Sequence, residues 1–345
     1  MSRRNTLAAL MLCCCTLPFM SSYGLAEQQK LVWPAPPETA RIQYLKSIAT
    51  KEDVTGPRGF FGKLWDFIVG PDQMEMRKPM SVALDAADGW LAVADPADKR
   101  VHVFDEARGR YWAITTVDPL RLLQHPIAVA ADGRGNLYIS DSEQRQVHVL
   151  TGARELRRSY GGPDVLQRPT GVAVDAERGR LYVADTPAHV VRVFDLDSGA
   201  LHHSLGARGT LDGEFNYPNY LTVDRHGQLY VTDALNGRIQ VFDAEGRFLR
   251  RLGQYGDGSG DLSAPKGVAL DSAGHLYVAD ARFDNIQIFD AQGRLLLFFG
   301  SSGQAPGMFW LPTGLAMGED DRLYVADSYN KRVQVFQYLR EAEER

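Results

Sequence analysis

A trio of short apolar runs recurs six times along this chain, and that recurrence restricts the fold more than any composition figure does. The sixth copy reads Pro312-Thr313-Gly314-Leu315-Ala316, then Leu323-Tyr324-Val325-Ala326-Asp327, then Arg332-Val333-Gln334-Val335-Phe336. The Asp that ends the middle run is Asp95, Asp141, Asp185, Asp233, Asp280 and Asp327, at intervals of 44 to 48 residues. The third run always ends nine residues later, at Phe104, Leu150, Phe194, Phe242, Phe289 and Phe336, and so constant a spacing fixes a hairpin. A period of 40 to 50 residues with several β-rich runs is the spacing of propeller blades. The runs are nearly continuous in hydrophobicity, as strands buried on both faces are. Between them stand turns such as Asp224-Arg225-His226-Gly227 and Asp290-Ala291-Gln292-Gly293. There Asp starts the turn through its side chain and Gly accepts a positive φ. A fourth run follows, as at 247–252. The expected fold is all-β, a six-bladed β-propeller of four-stranded antiparallel blades.

The six repeats cover 79–336, and the last is one run short, followed only by the charged tail 337–345. Residues 41–50 have the pattern of an outer strand and are expected to close the ring beside Arg332 to Phe336, because an unclosed ring would expose a strand edge. The propeller then occupies 41–345. The insertion 51–78 has no counterpart in the repeats. Its apolar Phe60, Phe61, Leu64, Trp65, Phe67 and Ile68, bounded by Pro57 and Pro71, predict a short helix over 59–70. Such a helix either packs on the propeller or docks a partner.

Residues 27–40 are polar, then proline-rich (Trp33-Pro34-Ala35-Pro36-Pro37), and read as an extended linker. Residues 1–26 read as a signal peptide: Arg3 and Arg4, an apolar run too short to span comfortably, and small residues before Glu27. The three cysteines, Cys13, Cys14 and Cys15, all lie in this segment. The rest of the chain therefore has neither a disulfide framework nor thiol chemistry. Lipidation at Cys15, giving a membrane tether through the N-terminus, is the alternative to simple export. Either way the chain is expected outside the cytoplasm, in the periplasm or membrane-associated in the envelope.

Pro-x-Gly-Val-Ala-Val-Asp, Leu-Tyr-Val-Ala-Asp, Asn-x-Arg-Val-Gln-Val-Phe and the linker Asp212-Gly213-Glu214-Phe215 together resemble NHL repeats. The resemblance implies the propeller fold and leaves activity open, since that family includes enzymes, protein- and RNA-binding modules and bacterial envelope proteins. Its amidating lyases carry zinc on His just after the blade-opening proline. Here those positions are Met80, Ile127, Thr170, Asn219, Lys266 and Thr313. Sugar lactonases of similar shape hold calcium with Glu, Asn and Asp around the channel, and these slots hold no carboxylate. His202 and His203 are adjacent on a strand, where alternation would send them to opposite faces. No cofactor and no metal site are expected.

Asp95, Asp233 and Asp327 each have Arg five residues on (Arg100, Arg238, Arg332), across the hairpin, and read as structural pairs. The formal charge of −5 gives no footing for polyanions, so nucleic acid is not expected as a partner. The expected function is a monomeric, non-enzymatic binding or scaffold module for an envelope protein or a small ligand. The alternative is a propeller lyase or lactonase with a metal or polar site at the channel mouth. The loops leading into the inner strands, and those joining second to third strands, vary most between copies and gather on one face. They nominate His125, Arg168, Tyr217, Asn219, Tyr220 and Lys266 around the channel mouth, with His189, Phe283 and Tyr329 from the hairpin loops.

Overall fold

A computed structural model describes residues 30–56, 74–152 and 154–340. The signal-like segment 1–26 and the expected helix at 59–70 lie outside the described residues. The propeller falls within the unit Leu31–Arg345.

Six antiparallel sheets carry the repeats, each ordered from an inner to an outer strand. The inner strands are Ser81–Asp85, Pro126–Ala131, Pro169–Asp175, Pro218–Val223, Pro265–Leu270 and Pro312–Met317, which open blades 1 to 6. Each touches the inner strands of both neighbouring blades, so the ring is closed. The second strands are buried nearly end to end, as Leu229–Asp233 and Leu276–Asp280 show. Core clusters therefore span pairs of blades; one joins Ala279 and Ile286 of blade 5 to Leu323 and Phe336 of blade 6. Between later blades the linker bridges back on itself (Arg208 with Phe215, Tyr255 with Leu262, Ser302 with Phe309), and the second residue of each bridge is fully buried.

Blade 6 takes its fourth strand from the other end of the repeats. Ile42–Ile48 pairs antiparallel with Arg332–Tyr338, from Ile42 opposite Tyr338 to Ile48 opposite Val333. The proline-rich stretch departs from the expected linker. Val32–Trp33 folds back as a fifth strand on Ile42 and Gln43. The Trp33 ring lies 5.5 Å from Phe299 and 5.9 Å from Phe336. Burial of one indole against two phenyl rings is what binds this segment to the sheet edge. Within the insertion, the described residues hold one short helix, Glu52–Thr55, and a bridge from Thr50 to Glu75.

The recurring Asp has one job in all six blades. Asp95, Asp141, Asp185, Asp233, Asp280 and Asp327 are wholly buried. Each carboxylate accepts backbone N–H groups from the segment entering its own blade. Gln124 N donates to Asp141 at 2.7 Å, Arg168 N to Asp185 at 2.9 Å, Ser263 N to Asp280 at 2.7 Å and Trp310 N to Asp327 at 2.8 Å. A buried carboxylate must be satisfied, and these amides satisfy it while fixing the loops of one face.

Candidate functional site

The face formed by the entry loops and the hairpin loops carries the nominated residues, and Tyr220 is at its centre. In three other blades the equivalent position is Gly, and there is no room for more. A Cβ on Gly171 would collide with the Asn219 carbonyl, one on Gly267 with the Thr313 carbonyl and one on Gly314 with the Ser81 backbone. Blade 4 has a tyrosine instead. Its hydroxyl donates to the Met80 carbonyl at 3.0 Å. Met80 leads into blade 1, which faces blade 4 across a six-membered ring, so the phenol spans the channel axis. Burial drives its pKa upward, and the group stays a neutral donor.

Around this closure the structure sorts the other candidates. His125 is half-buried, and burial first, then the nearby Arg168, hold its imidazole pKa below the usual value. Arg168 is exposed. Lys266 is mostly buried, which holds its ammonium pKa low despite the pull of Asp280. Asn219 Oδ1 accepts the Tyr220 N–H at 2.8 Å. Tyr329 is 46% exposed. His189 does not belong to the surface: it is buried, and its Nδ1 accepts the Tyr217 N–H at 3.3 Å. Tyr217 stands over it, ring centroids 4.7 Å apart. Phe283 is half-buried, and its backbone N–H points to Asp280 at 3.3 Å.

Two residues that sequence reasoning missed complete the face. Trp310, 45% exposed, packs its ring 5.5 Å from that of Tyr329. Lys78 places its ammonium 5.3 Å from the Tyr329 ring, a cation–π contact. A tryptophan in a short loop just before a blade-opening proline was the available signal.

The Asp–Arg pairs hold in two of three cases. Arg238 Nε and Arg332 Nε each donate at 2.8 Å, to Asp233 and Asp327. Arg100 instead lies 2.6 Å from Asp98, and Asp95 has His102 Nε2 at 3.6 Å. The turn carboxylate of Asp98 takes the Arg100 guanidinium, which is more exposed than those of Arg238 and Arg332. The two adjacent histidines also depart from expectation. Leu201 pairs with Phe194 and His203 with Val193, so a bulge takes His202 out of alternation. The two Nδ1 atoms then come within 2.6 Å.

The cavity lies on the opposite face. About 840 Å³ opens among the turns joining first to second strands, walled by inner strands of all six blades. Asp224, Arg225, His226, Asp271, Glu319 and Asp321 stand at its polar rim. None of the nine nominated residues lines it. At the Tyr220 end, the slots that the resemblance implies for zinc or calcium offer Met80, Ile127, Thr170, Asn219, Lys266 and Thr313. An ammonium, two hydroxyls and one amide already used by Tyr220 do not fit a divalent cation. Among the described residues no three His, Cys, Asp or Glu side chains come together as a ligand set.

Family models place the chain. The SMP-30/Gluconolactonase/LRE-like region matches residues 72–254, the NHL repeat residues 309–336, and a 6-bladed beta-propeller model residues 224–293. NHL repeat-containing protein 2 of Bos taurus is 31% identical over 149 residues, covering 34% of this chain and 20% of that protein. The E3 ubiquitin-protein ligase NHLRC1 of Homo sapiens is 30% identical over 114 residues, 33% of this chain and 29% of that protein. The chain thus spans less than a third of the length of these relatives. Among solved structures, an auxiliary nutrient binding protein from Bacteroides thetaiotaomicron VPI-5482 superposes with a TM-score of 0.61 at 16% identity. It covers 76% of this chain and 69% of its own, and the likeness is one of fold. With its six NHL-type blades in one closed ring, the chain belongs to the SMP-30/Gluconolactonase/LRE-like family of six-bladed propellers.

Proposed function

We propose that this protein is a binding scaffold of the cell envelope that engages a protein partner through the face centred on Tyr220. The observation that carries the reading is the Tyr220–Met80 closure. It occupies the channel mouth where a small substrate would enter, and leaves a surface set with exposed rings. Trp310, Tyr329 and Tyr217 are each more than two-fifths exposed, with Lys78 against Tyr329 and the exposed Arg168 near His125. Aromatic side chains interleaved with cations, on loops pinned by buried Asp residues, have the composition of protein-binding hot spots. The NHL-repeat relatives support a binding role, and the sequence of residues 1–26 supports export. A lyase or lactonase with its site at the channel mouth is the less favoured reading, because the donor groups there do not assemble a metal or an acid–base pair.

The test is crosslinked capture from envelope extract with the intact chain and with Trp310→Ala/Tyr329→Ala/Arg168→Ala. The intact chain is expected to retain one stable partner that the triple variant loses, at unchanged melting temperature. Equal capture by both would place the binding surface elsewhere.

A further inference from the structure

A second cavity lies away from the channel, in the cleft between blades 1 and 2. It measures about 270 Å³, just below the usual range for drug-sized ligands and large enough for a smaller one. Its inner wall is apolar: Val103, Ile114, Leu137 and Leu150 are all buried. The indole of Trp112 lines the cleft, and its Nε1–H is buried without a hydrogen-bond partner. Leaving such a donor unmatched is costly; it is closed off from the open cleft in this structure, and a small rotation of the indole would bring it to an acceptor held there.

The charges beside it are unevenly matched. Arg108 and Arg110 both bind the Asp105 carboxylate, Arg110 NH2 at 2.6 Å and Arg108 NH1 at 3.1 Å. Arg154 lies over the Trp112 ring, 5.9 Å from its centroid, while the Asp105 carboxylate is taken by Arg108 and Arg110. Three guanidinium groups thus share the cleft with two carboxylates, Asp105 and Asp88. One positive charge is left over, and it stands over the ring that carries the unmatched N–H.

We propose that this cleft binds a small amphipathic monoanion. Its carboxylate accepts from Trp112 Nε1 and from Arg154, and its apolar body lies along the indole and the aliphatic wall. Asp88 at the rim disfavours a second negative charge, which selects a monoanion over a dianion. The site shares no residue with the Tyr220 face, and a ligand here leaves that face free for a protein.

The test is calorimetric titration of the full chain with three probes of one shape: 3-phenylpropionate, 3-phenylpropan-1-ol and phenethylamine. The acid is expected to bind with one-to-one stoichiometry, about tenfold tighter than the alcohol, with the amine weakest. Arg154→Gln should weaken the acid severalfold and leave the alcohol unchanged, and Trp112→Phe should weaken both, the acid more than the alcohol. Arg154 is exposed, so its variant keeps the test valid if Trp112→Phe misfolds. Absence of binding by the acid, an alcohol or amine that binds as tightly, or an acid isotherm unchanged by Arg154→Gln would each overturn the proposal.

Discussion

The hydroxyl of Tyr220 donates to the Met80 carbonyl at 3.0 Å, and this one bond joins two blades that no sheet pairing connects. A propeller ring is held by contacts between neighbours, so a bond across the diameter adds a constraint that the repeat itself does not supply. Tyr220→Phe keeps the ring in the channel and removes the cross-channel bond, while the Met80 carbonyl retains the Gly314 N–H at 3.0 Å. The expected loss is about 1 kcal/mol in denaturant unfolding. Tyr220→Gly, restoring the residue of blades 3, 5 and 6, should open the channel from end to end and expose the Met80–Ser81 amides to faster hydrogen exchange. Unchanged exchange in the glycine variant would mean that the phenol is not the closure.

The second prediction contrasts two arginines in the same repeat slot. Arg238 is 5% exposed and its Nε bonds the wholly buried Asp233, while its NH2 donates to the carbonyls of Leu211 and Glu214. Arg238→Ala therefore removes the only cation bonded to a wholly buried carboxylate, which keeps just neutral amide donors from Asn216, Asn236 and Gln240, and leaves the Leu211 carbonyl without this donor, at a cost of about 3 kcal/mol. Arg100 pairs with the partly exposed Asp98, and Asp95 keeps its amide donors without it. Arg100→Ala should cost no more than about 1 kcal/mol. Equal losses in urea unfolding would show that slot, rather than partner, sets the energetics.

Acid stability supplies a third. His148 is wholly buried, its Nδ1 2.8 Å from Ser159 Oγ and its Nε2 without a partner. Burial lowers its pKa from 6.5 to about 4. The unfolded chain therefore takes up a proton that the fold refuses. Stability is fully present above pH 6.5 and is lost as pH falls towards 4, by up to about 3 kcal/mol. In blades 4 to 6 this slot holds Gln240, Gln287 and Gln334, which bond the carbonyls of Glu214, Asp261 and Met308. His148→Gln should flatten the fall in melting temperature between pH 7 and pH 5 while the fold is kept. An acid slope identical to that of the unaltered chain would assign it to other groups.

The fold was legible because a repeat prints its period into the chain: six prolines, six aspartates and a constant nine-residue hairpin determine blade number and strand order without any long-range information. What lay outside the period was harder to read. Trp33 stands among prolines and looks like linker, yet one indole finds Phe299 and Phe336 and folds the segment back. Arg100 occupies the pairing slot, but a turn carboxylate two residues away captures it. The length of a tyrosine against the width of the channel decides what Tyr220 does, and neither quantity is written in a motif. The opposite cavity escaped notice for the converse reason: its rim is built from the regular Asp and Gly turns that look purely structural.

Ring closure gives the last prediction. Ile42 and Ile48 are buried to within 1% of their surface, and their strand gives Arg332–Tyr338 its outer partner. Outside it, Val32–Trp33 covers the edge that Ile42–Ile48 would otherwise expose. A chain beginning at Val54 loses both layers and leaves an apolar strand edge in blade 6. In a ring, where each blade is supported on both sides, failure of one blade withdraws support from its neighbours as well. Such a chain should lack the cooperative melt of one beginning at Glu27, and should self-associate through the bare edge. Trp33→Ala removes only the outer layer. Trp33 is partly exposed, so its loss should cost about 2–3 kcal/mol, below the value for a fully buried aromatic. If the chain beginning at Val54 melts at the same temperature as the longer one, and stays monomeric, Ile42–Ile48 is not what closes the ring.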